Sequence, residues 1–221
     1  MEKELKIFYH TYLVNNFKEL IQEQLINVFA SGLYKRCSVI YLGISSTNEE
    51  NTQWLLNLVK DYSKIIPIVH PPNTDEKYTQ RLILKYTNED NYVCYFHTKG
   101  VTKNHLYNIT LWRKLMDYHN IIQWKQCIDV LDQGYDCIGP LYREDTYLGF
   151  YPHFSGGYWW ATYNHIMSLD SSYINDDHPL GRMGAEFWIG SNYNFKKHSN
   201  FIFEEGIEPY GKEYLISNYI K

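Results

Sequence analysis

In its first hundred residues four short apolar runs are joined by three helical patterns with almost no spare linker. No other feature constrains the fold as tightly. Successive strands joined through helices are laid down parallel, because a tight hairpin cannot carry the chain back to the starting end of the sheet. Lys6-Ile7-Phe8-Tyr9 is the first strand, and Asn16 with Glu19 three residues on caps a helix with Phe17, Leu20, Ile21, Leu25 and Val28 on one face. Ser38-Val39-Ile40-Tyr41-Leu42 is the second strand, and Ser46 with Glu49 marks a helix carrying Trp54, Leu55, Leu58 and Val59. Ile65-Ile66-Pro67-Ile68-Val69 is the third, its Pro67 suited to a strand start or a sheet edge. Asn73 and Glu76 open a helix through about Thr87, and Tyr92-Val93-Cys94-Tyr95-Phe96, apolar throughout, is a central fourth strand.

The regularity then breaks. A loop over Thr98 to Asn108 leads to a long helix from about Ile109 to Asp132, with Leu111, Leu115, Tyr118 and Ile122 at helical spacing. Tyr135 to Gly139 is a short strand, Pro140 to Pro152 a loop, Gly156 to Ala161 an aromatic strand and Ala185 to Gly190 a short helix. The chain has 221 residues, enough for one sizeable core and too few for two. The expectation is a single α/β domain with a mostly parallel central sheet flanked by helices.

Charge and composition narrow the partners. The net charge is −4 and no Lys/Arg run exceeds two residues, so the field that attracts a polyanionic backbone is missing and nucleic acid is excluded as a partner. Met1-Glu2-Lys3-Glu4-Leu5 lacks the basic-then-apolar order of a signal peptide, and no run approaches the ~18 apolar residues of a membrane span, so a cytoplasmic protein without a transmembrane segment is expected. Cys37, Cys94, Cys127 and Cys137 form no Cys-x-x-Cys pair and read as reduced, buried thiols. Aromatic residues make up 17%, which suits either an AT-rich coding bias or stacking on the apolar faces of sugar rings.

Open α/β sheets bind ligands outside the carboxyl ends of their strands, and here those ends are polar: His10-Thr11-Tyr12, Gly43-Ile44-Ser45, His70, and His97-Thr98-Lys99-Gly100. Neither the dinucleotide-binding Gly-x-Gly-x-x-Gly nor a Walker loop is present, so a nucleotide would be held by side chains and strand ends, and an NAD-dependent oxidoreductase is disfavoured. His97 and Lys99, two apart on a strand exit, point to one face. They form either a cationic pocket for a diphosphate leaving group or a satisfied histidine beside a solvated lysine.

Four ordered blocks carry a resemblance: Tyr95-Phe96-His97-Thr98-Lys99-Gly100-Val101, Leu111-Trp112-Arg113-Lys114-Leu115-Met116, His153-Phe154-Ser155-Gly156-Gly157-Tyr158-Trp159-Trp160-Ala161 and Ala185-Glu186-Phe187-Trp188-Ile189-Gly190. Together they resemble a group of glycosyltransferases with bacterial and large-virus members, including an N-terminal domain of a chlorella virus protein. A more limited similarity, through His-Thr-Lys, is to the rhamnan synthesis protein F family. The resemblance implies a GT-A (Rossmann-like) fold, with about 1–100 as the nucleotide-binding half and about 101–221 as the sugar and acceptor half, and a nucleotide-sugar donor. Most GT-A enzymes carry Asp-x-Asp to hold Mn²⁺ or Mg²⁺, and His97-Thr98-Lys99 stands in its place. A protonated lysine has no lone pair for a metal, which puts a divalent cofactor in doubt. Either Lys99 and His97 replace the ion, or Asp176, Asp177 and His178, otherwise a polar loop, hold it elsewhere.

Arg113 offers a phosphate-binding fork or a surface salt bridge, and Trp112 a sugar contact or core packing. Ser155, Gly156 and Gly157 let the backbone approach a ligand or form a buried bulge, and Trp159, facing opposite to Tyr158 and Trp160, offers a platform to a sugar. Glu186 and His153 are the catalytic candidates. Glu186, its pKa raised by apolar neighbours Ala185, Phe187 and Trp188, would deprotonate an acceptor hydroxyl or steady an oxocarbenium-like transition state. Thr11, Tyr12 and Arg81 are assigned to the nucleotide. The expected activity is transfer of a hexose or deoxyhexose from a nucleotide-sugar, UDP-sugar favoured, to a glycan or glycoconjugate hydroxyl. The alternative is a non-catalytic carbohydrate-binding domain of GT-A-like fold.

Overall fold

A computed structural model describes residues 2–103, 106–144, 151–199 and 212–219; the parts of the expected loops at 104–105 and 145–150 lie outside them. The elements run β1 (Glu4–Tyr12), α1 (Phe17–Ala30), α2 (Leu33–Arg36), β2 (Val39–Ser45), α3 (Glu49–Val59), β3 (Ile65–Val69), α4 (Lys77–Tyr86) and β4 (Asn91–His97). They continue with α5 (Tyr107–Asp117), α6 (Trp124–Asp132), β5 (Cys137–Gly139), β6 (Tyr142–Arg143), β7 (His153–Phe154), β8 (Trp159–Thr162), α7 (Tyr163–Ser168), α8 (Met183–Phe187) and β9 (Lys197–Ser199). Among the described residues, seven strands form one sheet in the order β3-β2-β1-β4-β8-β5-β9. β3, β2, β1 and β4 are mutually parallel, β8 is antiparallel to β4 and β5, and β9 is parallel to β5. This is the mixed α/β architecture with a mostly parallel sheet that the alternation called for. β4 sits at its centre, every residue buried, and Pro67 lies on the β3 edge, where a missing N–H costs no ladder bond.

Helices cover both faces. Tyr92, Cys94 and Phe96 of β4 join a core with α1, α3, α5 and α6, while Val93 and Tyr95 face a second core with Ile83 of α4, Ile166 of α7 and Trp188. β8 and the residue before it repeat the alternation: Tyr158 and Trp160 enter the first core, Trp159 and Ala161 the second. Gly43 lets α4 close down on the sheet, since a Cβ there would lie 1.9 Å from Thr79 Oγ1. All four cysteines are buried free thiols. No helix among the described residues is long and apolar enough to cross a membrane.

Several local expectations need correction. Asn16 makes no side-chain cap to α1, and α3 is capped by Asn48, whose side chain accepts from the Asn51 N–H at 3.0 Å. The long helix expected over Ile109 to Asp132 is broken by a π-turn at Tyr118–Ile122. The extra residue rotates the apolar stripe, leaving Ile122 40% exposed and burying Trp124, Cys127 and Leu131 instead. The turn also leaves the Asn120 carbonyl facing the sheet, where Trp160 Nε1 donates to it at 2.9 Å. Gly156 and Gly157 precede the aromatic strand rather than beginning it.

Candidate functional site

β1, β2 and β3 are laid outward in one direction, with α1 and α3 on one face, and the chain then returns through α4 on the other face to place β4 on the free side of β1. Such a reversal opens a crevice outside the carboxyl ends of the two strands it separates. His10 and His97 are register partners at that end, Thr98 N–H donates to the His10 carbonyl at 3.0 Å, and Thr98 Oγ1 accepts from the Tyr12 N–H at 3.0 Å.

A cavity of about 260 Å³ occupies the crevice. His10 and Tyr12 of β1, Asn73 to Glu76 ahead of α4, the run His97 to Lys103 leaving β4, Ile109 of α5 and Arg182 before α8 line it. A smaller chamber of about 20 Å³ shares Glu76, His97, Lys99 and Arg182 with it and adds Gln80, Tyr95, Gly157, Met183, Ala185 and Glu186. Lys99 and Glu186, distant in sequence, thus line one space.

Lys99, Lys103 and Arg182 bring positive charge to these walls, and Asp75, Glu76 and Glu186 negative charge. Lys99 Nζ stands 4.4 Å above the Trp112 ring. The expected pairing of two cations, His97 with Lys99, is corrected: burial, reinforced by Lys99, holds the His97 imidazole well below its ordinary pKa, so at neutral pH it is uncharged. Its Nδ1 lies 3.3 Å from Glu76 Oε1 without hydrogen-bond geometry, a contact of a neutral ring rather than an ion pair. Burial raises the Glu76 carboxyl, with Glu186 adding to the shift against Arg182 and Lys99.

Glu186 moves oppositely. Burial pushes its pKa up, but Lys99, His153, the Gly156 N–H and His97 together outweigh it and hold the carboxyl below its usual value, which corrects the expected upward shift. The Gly156 N–H donates to Glu186 Oε1 at 2.8 Å. Gly156 has φ +94°, and a Cβ there would lie 2.4 Å from Met116 Sδ. The Ser-Gly-Gly turn therefore acts as a backbone clamp on a carboxylate, and of its three residues only Gly157 lines the chamber.

Other sequence candidates fall elsewhere. Thr11 is wholly buried, its Oγ1 donating to the Gly43 carbonyl at 2.9 Å, because strand alternation turns it away from His10 and Tyr12. Arg81 pairs with Asp176 and donates to the Ile174 carbonyl at 2.8 Å, tying α4 to the chain before α8 rather than facing the cavity. Arg113 is 5% exposed and bonded to Glu23 at 2.8 Å on the opposite face of the sheet. Trp112 is buried beneath Lys99, which it supports. Trp159, 1% exposed between Tyr95 and Trp188, offers no sugar platform because both faces of β8 are covered. That removes the surface on which the carbohydrate-binding alternative rested.

Ser155 is buried outside both cavities, with Oγ 3.5 Å from His153 Nε2. His153, 3% exposed, has Nδ1 2.6 Å from the Tyr151 carbonyl; burial lowers its pKa, and it stands behind Glu186 rather than in the cavity. Asp176, Asp177 and His178 do not converge. Asp176 is engaged by Arg81, His178 stacks on Tyr173 and accepts from the Leu180 N–H, and no group of three His, Cys, Asp or Glu among the described residues is arranged to hold a metal ion. Asp176, Asp177 and His178 therefore do not fit a divalent cofactor.

Sequence reasoning missed Arg182, Asp75, Lys103 and Glu76. Glu76 was read only as a helix opener, yet at the N-cap of α4 it makes no capping bond and turns its carboxylate to the cavity. No protein-family model matches the chain, and no curated protein matches it. Among solved structures it is similar to the 4-diphosphocytidyl-2C-methyl-D-erythritol synthase of Anaerococcus prevotii, at 9% identity and TM-score 0.46, with 99% of this chain and 95% of that chain covered.

Proposed function

We propose that this protein is a glycosyltransferase of GT-A type that takes a nucleotide-sugar, UDP-sugar favoured, and passes a hexose or deoxyhexose to a glycan or glycoconjugate hydroxyl. One observation carries the reading: Lys99 and Arg182 line both the strand-mouth cavity and the chamber that holds Glu186. A diphosphate set against those cations would bring its sugar to the carboxylates.

Lys99, Lys103 and Arg182 take the charge of the leaving nucleoside diphosphate, the task a metal ion performs elsewhere. Glu186, anionic at neutral pH, faces the positive charge that grows on the anomeric carbon as that bond breaks. Glu76, whose pKa burial raises, is the better tuned to accept the proton of the attacking hydroxyl.

A thermal-shift series with UDP, GDP, CDP and dTDP, with and without Mn²⁺, tests the reading. At least one nucleotide raises the melting temperature without metal. Lys99→Ala lowers that nucleotide's affinity by roughly 10- to 100-fold, the worth of a charge-assisted hydrogen bond of about 1.5–3 kcal/mol. Glu186→Gln, which still accepts from Gly156, keeps the affinity and lowers turnover about 100-fold or more. A protein that none of the four stabilises is not a nucleotide-sugar enzyme.

A further inference from the structure

The small chamber has a chemistry of its own. About 20 Å³ is room for one water-sized group. Its inner wall is Gln80 of α4 and Tyr95 of β4, each 1% exposed. Gln80 Nε2 donates to the Ala185 carbonyl at 2.8 Å, which fixes the amide, because the flipped orientation would set two acceptors against each other. Gln80 Oε1 is therefore an acceptor on a residue that lines the chamber, and it has no partner among the described residues. Tyr95 Oη has none either. Burial, with Glu76 and Asp75 adding, holds that phenol well above its ordinary pKa, so it keeps its proton and can donate.

These two atoms ask for a group that gives a proton to Gln80 and takes one from Tyr95. A hydroxyl does both. A phosphate oxygen has no proton for Gln80, and an ammonium has no lone pair for Tyr95. Leaving both atoms unmatched destabilises the protein, so the chamber is built to be filled.

We propose that the chamber is a hydroxyl subsite, in which Gln80 and Tyr95 read one hydroxyl of the sugar whose phosphates rest against Lys99 and Arg182. The inference rests on the nucleotide-sugar reading and adds which side chains select the sugar. A resident water has the same chemistry, and the test separates the two.

Tyr95→Phe removes only the unmatched hydroxyl and keeps the ring beside Trp159. Calorimetry measures wild type and variant with the nucleoside diphosphate that stabilises the protein, with its hexose ester, and with the monodeoxy forms of that ester. Tyr95→Phe weakens the sugar nucleotide roughly tenfold, leaves the nucleoside diphosphate within about twofold, and does not lower the melting temperature of the free protein. One monodeoxy form loses the same factor in wild type and nothing further in the variant. Equal loss for both ligands, or no loss for either, overturns the inference. A lowered melting temperature with unchanged sugar discrimination assigns the chamber to a resident water and overturns it too. Binding of neither ligand by wild type defeats the nucleotide-sugar reading and this inference together, whereas binding without sugar discrimination defeats the inference alone.

Discussion

Two buried polar clusters meet at His97, one on each face of the sheet. On the first face its carbonyl accepts from Tyr158 Oη, and Gln24, at the centre of the cluster, accepts from Tyr9 Oη at 2.7 Å and donates to Asp117 at 2.9 Å. Arg113 joins them through Asp117 at 3.8 Å and carries the charge out to Glu23 at 2.8 Å. On the second face its ring meets Glu76, Lys99, Arg182 and Glu186 around the cavities. Both clusters are rich in charge, and they differ in where the partners are. In the first, Arg113 Nε and Asp117 Oδ2 make no hydrogen bond but face each other as opposite charges at 3.8 Å; in the second, Gln80 Oε1 and Tyr95 Oη have no partner among the described residues. Charge alone does not mark a site, whereas buried groups with no protein partner beside an open cavity do.

Arg113→Ala tests the contrast most severely. Arg113 is 5% exposed and Asp117 1%, so the variant leaves a buried carboxyl near Glu23 without its cation. Urea unfolding above about pH 8, where Asp117 of the wild type is ionised and paired, shows a loss of about 3–5 kcal/mol, while the folded fraction keeps its nucleotide affinity. Unchanged stability with lost affinity would return Arg113 to the phosphate.

The pH dependence of stability gives the next effect. Burial raises the Asp117 pKa to about 7, against the opposing pull of Arg113 and Gln24. The folded protein then binds this proton more tightly than the unfolded chain, so the group's stabilising contribution is complete below about pH 4 and is lost as pH rises through about 7. The fall is on the order of 4 kcal/mol. Asp117→Asn flattens it in unfolding curves taken across that window. A variant that keeps the wild-type slope assigns the titration to another group.

The same contrast explains what the sequence could express. The strand–helix alternation, the central place of Tyr92 to Phe96 and the edge place of Pro67 follow from periodicity and a missing N–H, and those signals are local. Lys99 was legible because it follows a strand end. Arg113 and Arg81 were misread because a charged side chain near a motif looks the same whether Glu23, Asp176 or a phosphate will face it. Trp159 was misread for a related reason: alternation predicts opposite faces correctly, but only the helices above them decide that both are covered. Arg182 and Gln80 carry no sequence signal, since their place depends on α8 packing over α4 across a long stretch of chain.

Gly157→Ala sharpens the comparison at the boundary of the two clusters, with the smallest effect on stability. Gly157 has φ +74°, and an added Cβ would stand 3.4 Å from His97 Cε1, tight without a forced displacement. The backbone strain of an L-residue there costs about 1 kcal/mol. The cluster of Gln24 and Asp117 is untouched, so the pH slope of stability stays as in wild type. The methyl group enters the chamber, which has room for little else, so the sugar nucleotide loses affinity more than the nucleoside diphosphate does. A variant that loses the pH slope but keeps sugar discrimination would mean that the two faces are coupled through His97, and that the division between a closed cluster and an open one is drawn in the wrong place.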